Sequence, residues 1–256
     1  MKVTVKVLTE NLRMEPYASV LCYPRASKTE LEGRLEELQE HGVMTVEFSG
    51  NVSASNVPVL GKGFVGIVVT AHLAGERVAL KIRRVDADRA GLEREAQMLA
   101  KANSVQVGPK LIGVSRNFLL MQLVDGWLLP EWLSRHEEKG VVCGVLGDVL
   151  EQCWRLDSVG LDHGELSKAP KHIIVSKQHE PFLVDFETAS VDRKPANVTA
   201  VSQFLFTSRG TVAKAVAEVL GEVNREKAID ALRRYKNRRS RENFDRVVWV
   251  CLSLHS

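Results

Sequence analysis

The stretch Leu60-Gly61-Lys62-Gly63-Phe64-Val65-Gly66-Ile67-Val68-Val69-Thr70 decides how this chain is read. Three glycines spaced G-x-G-x-x-G can open a helix or form the turn of a hairpin. Here Ile67-Val68-Val69 follows the third glycine directly, and β-branched residues favour a strand. A dinucleotide-binding fingerprint needs a helix at that point, so it is excluded. A Walker loop needs four spacers and then Gly-Lys-Ser/Thr, which the chain lacks. What remains is a strand–turn–strand hairpin with a glycine-rich turn. In the plainest reading the glycines only supply positive φ.

Outward from this hairpin, Arg77–Arg84 reads as a strand, and Leu92, Ala96, Leu99 and Ala100 predict a helix over 87–102. Residues 111–124 give two strands around an Arg116-Asn117 turn. Beyond Gly126 the pattern turns helical: 129–138, 141–158 and several helices over 195–254, with short strands at 172–175 and 181–184. On the other side, 2–8, 17–24 and 43–50 read as strands, and 29–42 as a helix capped by Thr29. The Ser- and Asn-rich segment 51–58 reads as a linker. β-rich sequence precedes α-rich sequence, which predicts an α+β, two-lobed architecture. It divides into an α+β extension over 1–55, a sheet-bearing lobe over 56–125 and a helical lobe over 126–256.

Composition bounds this reading without naming a function. The chain has 256 residues, with 35 Lys and Arg against 32 Asp and Glu, a net charge of +3. That balance does not announce nucleic acid, which is recognised from clustered charge. The four cysteines, Cys22, Cys143, Cys153 and Cys251, form no C-x-x-C pair, so neither a zinc ribbon nor a disulfide framework is indicated. No signal-like leader and no long apolar run is seen, so a cytoplasmic protein without membrane contact is expected.

The glycine hairpin is followed by further chemistry in a fixed order. Val68 stands two residues past Gly66. Val78-Ala79-Leu80-Lys81 puts a lysine on the next strand, and Glu95 lies on the following helix, nearer its apolar edge than Glu93. Downstream come Asp162-His163-Gly164-Glu165-Leu166-Ser167-Lys168 and then Phe182-Leu183-Val184-Asp185-Phe186-Glu187. A glycine turn, a strand lysine with a helix carboxylate, a polar loop and a strand-end Asp are the parts of phosphoryl transfer from a nucleotide.

The chain resembles the protein-kinase superfamily, and within it the atypical RIO and KEOPS-associated (Bud-type) small kinases. It is most similar to archaeal proteins predicted to be serine/threonine kinases. The residues carrying the closer likeness are LGKGFVGIVV, VALKIRRVDADR, DHGELSK and VDFETAS followed by RKPANVT, over about 58–206. The resemblance implies a protein-kinase-like fold with a trimmed C-lobe, and ATP and Mg2+ as cofactors. It implies nucleotide contacts from Gly61, Lys62, Gly63, Gly66, Val68, Ala79 and Lys81, with Gln122 and Val124 offering backbone groups to adenine. Lys81 is held by Glu95, Asp185 takes the metal, and a Ser/Thr hydroxyl of a protein accepts the phosphoryl group.

Three positions depart from the family pattern. Glu165 stands where the catalytic Asp is usual, with Asp162 the alternative base. His172 stands in the slot of the metal-binding Asn, as a metal or phosphate ligand or as a buried structural residue. Asp185-Phe186-Glu187 replaces D-F-G. Only 256 − 187 = 69 residues follow Glu187, and no A-P-E occurs. These departures keep two alternatives open: a nucleotide-binding ATPase switch or scaffold on ribonucleoprotein, and a small-molecule phosphotransferase. Arg233, Arg234, Lys236, Arg238, Arg239, Arg241 and Arg246 form a basic cluster, read as a solvated face or as a contact to RNA.

Overall fold

The computed structural model describes residues 4–168 and 170–252, which form two compact units. The first takes in residues up to Gln97 together with Lys110–Leu123. The second takes in Met98–Pro109 and the chain from Val124 onward.

The first unit is built on an antiparallel sheet. Its strands lie in the order Val5–Leu8, Val43–Phe48, Gly66–Leu73, Glu76–Arg83, Phe118–Gln122 and Leu111–Val114, with the short Gly61–Lys62 paired to Gly66–Leu73. The two long central strands alternate as the pleat requires. Ile67, Val69, Ala71, Leu80 and Ile82 point into one core with Phe48 and Phe118. Val68, Thr70, Ala79 and Lys81 occupy the other face, where Leu119 packs with Val65, Leu92 and Ala96. Strands from the first 55 residues therefore belong to the same sheet as the glycine hairpin.

The helix Lys28–Glu40 is capped by Ser27, whose Oγ accepts from the Glu30 amide at 3.3 Å, two residues before the Thr29 cap expected from sequence. It buries Leu35 and Leu38 in the large core. It also buries Arg34, whose guanidinium donates to the carbonyls of Leu21 (2.7 Å) and Arg83 (2.5 Å) and to Asn117 Oδ1 (3.2 Å). Glu37 accepts from Ser115 Oγ (2.5 Å) and from the backbone amide (3.0 Å) and Nδ2 (2.5 Å) of Asn117. A buried arginine persists only when its donors are met, and these are met by backbone, by an amide and by the Glu30 carboxylate, whose Oε1 accepts from Nε at 2.8 Å.

Three local expectations are corrected. Residues 17–24 hold the helix Tyr17–Leu21, not a strand. Ala18, Leu21 and Cys22 are buried at helical spacing, which outweighs the strand propensity of the Val and Tyr residues. Residues 51–58 are no linker: Val52–Ala54 pairs with Val57–Val59 through Ser55 and Asn56, both at positive φ (48° and 63°), the geometry of a two-residue hairpin. The helix expected at 87–102 is Glu93–Asn103, and its Ala100 is exposed.

The second unit carries a three-stranded antiparallel sheet, Gly126–Leu128, Ile173–Ser176 and Pro181–Leu183. The long helix Lys139–Ser158 lies with it, and Gln152 Nε2 donates to the Pro181 carbonyl at 2.7 Å. Helices Asn197–Ser202, Thr211–Leu220, Arg225–Asn237 and Arg241–Leu252 complete the unit. The apolar run 247–254 lies in the last of these as far as Leu252; residues 253 and 254 fall outside the described residues. Among the described residues, no helix is long and apolar enough to cross a membrane.

Candidate functional site

In the first unit the chemistry gathers around Lys81. Its strand position faces away from the large core, opposite Val68 and two residues from Ala79. Its Nζ lies 2.8 Å from Glu95, and both residues are buried. Glu93, the competing carboxylate, is exposed. An ammonium and a carboxylate this deep are held charged by one another, which fixes the long lysine stem in one place.

The three glycines have different duties. None of them adopts positive φ, so the turn does not need glycine for conformation. A Cβ on Gly61 or Gly63 would meet nothing closer than 3.7 Å. On Gly66 it would lie 2.9 Å from the Ile82 carbonyl and 3.0 Å from Lys81 Cγ. Gly66 is thus required first by the Ile82 carbonyl and then by the lysine stem beside it. Phe64, at the tip, is 91% exposed. The hairpin is steadied from outside: Arg84 Nη1 donates to the Gly63 carbonyl at 3.0 Å, and the Tyr23 ring takes Lys62 Nζ at 4.5 Å and the Arg84 guanidinium at 5.1 Å.

Thr70, opposite Ala79, is fully buried with no hydrogen bond to its hydroxyl. Gln122 donates its backbone N–H to the Lys110 carbonyl at 2.8 Å, and its Oε1 accepts from the Lys110 amide. That N–H is therefore committed within the hairpin. Val124 is half-buried and lies outside the strands.

In the second unit a loop and a strand end bring Glu165, His172 and Asp185 together, and Asp162 lies earlier in the same loop. Asp162 pairs by a β-bridge with Ser190, and its two oxygens accept from Arg193 Nε (2.9 Å) and from the Ala196 amide (3.1 Å). It ties the loop to the chain beyond Asp185. Glu165 is 40% exposed at the side chain and lines a pocket of about 260 Å³ with Gly164, Ser167 and His172. Glu165 Oε2 lies 3.3 Å from His172 Nε2, and Asp185 Oδ2 lies 3.9 Å from His172 Nδ1. Asp185 takes φ +70°, a left-handed conformation uncommon outside glycine and typical of functional strain.

The donor set suits a divalent cation. Ligand atoms from Glu165, His172 and Asp185 lie within 4.8 Å of one another, and His172 Nδ1 is buried without a hydrogen bond. Two carboxylates with one imidazole match the ligands such ions take in proteins.

No protein-family model matches the chain. An uncharacterized protein of Methanocaldococcus jannaschii is 27% identical over 100 residues, which is 39% of this chain and 83% of that relative. This likeness brings no chemistry with it.

Two residues beyond the predicted set hold the loop. Asn197 Oδ1 accepts from the His163 amide (2.8 Å), and its Nδ2 donates to the Leu161 carbonyl (2.7 Å) and to Asp157 Oδ1 (2.8 Å). Asp157 also accepts from the Asn197 amide (2.9 Å) and from the Tyr235 hydroxyl (2.8 Å). The polar residue after Pro195-Ala196, ahead of an apolar helix, was the only sequence signal for this clamp. His163 is fully buried, and burial, with His172 beside it, pushes its imidazole down to about 4. Gly164 takes φ +91°, and a Cβ there would lie 2.6 Å from Arg193 Nη2 and 2.9 Å from Thr188 Oγ1.

Proposed function

We propose that this chain is an ATP- and divalent-metal-dependent phosphotransferase of the small, atypical protein-kinase kind, acting on a Ser/Thr hydroxyl of a protein. The observation that carries the reading is the buried Lys81–Glu95 pair at 2.8 Å, on the strand that follows the glycine hairpin. In this reading 56–125 corresponds to the sheet-bearing lobe, 126–256 to a trimmed helical lobe, and 1–55 to an extension joined to the first.

Lys81 neutralises and orients the nucleotide phosphates, and Glu95 keeps its ammonium in register. A divalent ion held at Asp185 would offset the charge that develops on the phosphates. Glu165 is favoured over Asp162 as base, because both Asp162 oxygens are committed to Arg193 and Ala196 while Glu165 borders an open pocket. In the step, the acceptor oxygen bonds to the γ-phosphorus and the bond from that phosphorus to the β,γ-bridging oxygen breaks. ADP departs and the hydroxyl proton passes to the Glu165 carboxylate.

Calorimetric titration of the full chain with Mg·ATP, followed by incubation with labelled ATP, tests the reading. Binding lost in Lys81→Ala, with label appearing on protein, supports it. Absence of nucleotide binding overturns it.

One observation favours the alternative of an ATPase switch on ribonucleoprotein. Arg234, Arg239 and Arg241 are engaged by Asp230, the Pro195 carbonyl and Glu151. Arg233, Lys236, Arg238 and Arg246 are exposed with no ion pair among the described residues. Phosphate released without labelled protein, and a salt-dependent RNA shift lost when these four are neutralised, would favour it.

A further inference from the structure

The tip of the glycine hairpin has little packing of its own. Gly63 and Phe64 are exposed, and a Cβ on Gly61 or Gly63 would meet nothing closer than 3.7 Å. A glycine-rich turn loses much conformational freedom when a ligand fixes it. A contact that fixes the turn beforehand lowers that cost of binding.

Arg84 makes such a contact. It follows directly on the strand that carries Lys81, and its amide donates to the Val65 carbonyl at 2.8 Å. Each nitrogen of its guanidinium is committed. Nε and Nη2 donate to the two oxygens of Asp86 at 2.8 and 2.7 Å, a bidentate pairing that sets the plane of the group. Nη1 is thereby aimed at the Gly63 carbonyl, to which it donates at 3.0 Å. An exposed ion pair of this kind adds little to stability. What it fixes is the direction of Nη1.

The guanidinium also lies 5.1 Å from the centre of the Tyr23 ring, and Lys62 Nζ lies 4.5 Å from the same ring. Tyr23 belongs to the N-terminal extension, just past the helix Tyr17–Leu21. Its carbonyl accepts from the Val85 amide at 2.9 Å, and its ring packs partly buried against the large core. Nearby, Arg34 Nη1 joins the carbonyls of Leu21 and Arg83. The ring is thus held in a fixed place relative to Arg84, and the hairpin is tied to it from both Lys62 and Gly63.

We propose that Tyr23, Arg84 and Asp86 are positioning residues for the nucleotide: they hold the glycine hairpin in place before ATP arrives, so that affinity for the phosphates depends on a residue of the N-terminal extension. The inference rests on the phosphotransfer reading, in which this hairpin covers the ATP phosphates. It gives the extension a part in that reading. It also makes Arg84 a strut of the hairpin, not a phosphate ligand, since each of its nitrogens already has an acceptor.

The test is calorimetric titration of the full chain and its variants with Mg·ATP and, separately, with adenosine, which has no phosphates for the hairpin to cover. Tyr23→Leu, Arg84→Lys and Asp86→Ala should each weaken ATP by about three- to tenfold and leave adenosine within about twofold. Arg84→Lys keeps the charge and loses the planar fork. Asp86→Ala removes a negative charge, which by simple attraction would tighten ATP, so weakening is the mark of a brace. Tyr23→Phe keeps a ring for both cations and should bind ATP as the wild type does. Amide hydrogen exchange over residues 60–66 should quicken in the three weakened variants.

Unchanged ATP affinity in Arg84→Lys and Asp86→Ala, or tighter ATP in Asp86→Ala, overturns the proposal and leaves the phosphotransfer reading standing. So does an equal loss of ATP and adenosine, which would mark general damage to the fold. Wild-type protein that binds no ATP removes the phosphotransfer reading and this inference with it.

Discussion

Lys81 Nζ lies 2.8 Å from the Glu95 carboxylate, and both partners are buried on the same side of the central sheet. Removing one member of such a pair strips a buried charge of its counter-ion, which costs about 3 kcal/mol or more. Lys81→Ala is expected to lower unfolding free energy by that amount and to weaken ATP by at least about tenfold. Glu95→Gln should weaken ATP less, because the lysine remains. Urea denaturation and calorimetry measure the two effects. A Lys81→Ala protein with wild-type ATP affinity would sink the role given to this lysine.

The glycine hairpin makes a graded prediction. Gly66→Ala places a methyl group 2.9 Å from the Ile82 carbonyl and 3.0 Å from the Lys81 stem, while Gly63→Ala meets nothing closer than 3.7 Å. Overpacking of this kind costs roughly 1–3 kcal/mol. Gly66→Ala should therefore reduce both thermal stability and ATP affinity, whereas Gly63→Ala leaves stability within about 0.5 kcal/mol. Equal effects from the two substitutions would show that the turn, not the close approach to the Ile82 carbonyl and the Lys81 stem, sets the requirement.

The two loop carboxylates should separate cleanly. Asp162→Asn disturbs contacts to Arg193 and Ala196, so its effect falls on stability, roughly 1–2 kcal/mol. Glu165→Gln removes a proton acceptor beside the pocket, so its effect falls on turnover, roughly 100-fold or more, with ATP affinity retained. Single-turnover transfer and melting curves on the same samples distinguish them. The reverse pattern would assign the base to Asp162.

The lysine, its helix carboxylate and the glycine hairpin were legible because each depends on local pattern: strand alternation, a helical apolar edge, and three small residues at fixed spacing. The loop residues were legible as a set but not in their roles. Nothing in the order Asp162-His163-Gly164-Glu165 says that Asp162 is tied to Arg193, 31 residues away, while Glu165 borders a pocket. The Arg34–Asn117 and Asp157–Asn197 contacts were not legible at all. They join residues 83 and 40 positions apart, and side-chain periodicity carries no record of such partners. The segment 17–24 was misread because Val and Tyr favour strands locally, whereas burial of Ala18, Leu21 and Cys22 decides for a helix.

Thiol reactivity offers an independent test of the packing. Burial pushes Cys22 up to about 11 and Cys251 up to about 12, and raises Cys153 well above the ordinary range. Cys143 is half-buried. Because the thiolate is the reactive form, native protein near neutral pH should take up a single equivalent of an aromatic disulfide reagent, at Cys143. Unfolding should release the other three. Mass spectrometry of the labelled peptides decides it, and rapid native labelling at Cys153 would contradict the buried helix core.

Asp157 gives the fold a pH signature of definite sign. Burial raises its carboxyl above the ordinary value, against the hydrogen bonds from Tyr235, Asn197 and Val198. The native state then binds this proton more tightly than the unfolded chain does. The contribution of Asp157 to stability is thus fully present in acid and is lost as pH rises through the carboxylate range. Asp157→Asn removes the titration while keeping an acceptor for the Asn197 donors and offering a donor to the Tyr235 oxygen. Between about pH 4.5 and about pH 7.5 the stability difference should move in favour of the Asn variant. Asp157→Ala, which leaves the Asn197 and Tyr235 donors without their acceptor, should lose about 2 kcal/mol or more at both. Urea titrations at the two pH values measure each difference, and a shift toward the wild type on raising the pH would mean that the hydrogen bonds, not burial, govern this carboxylate.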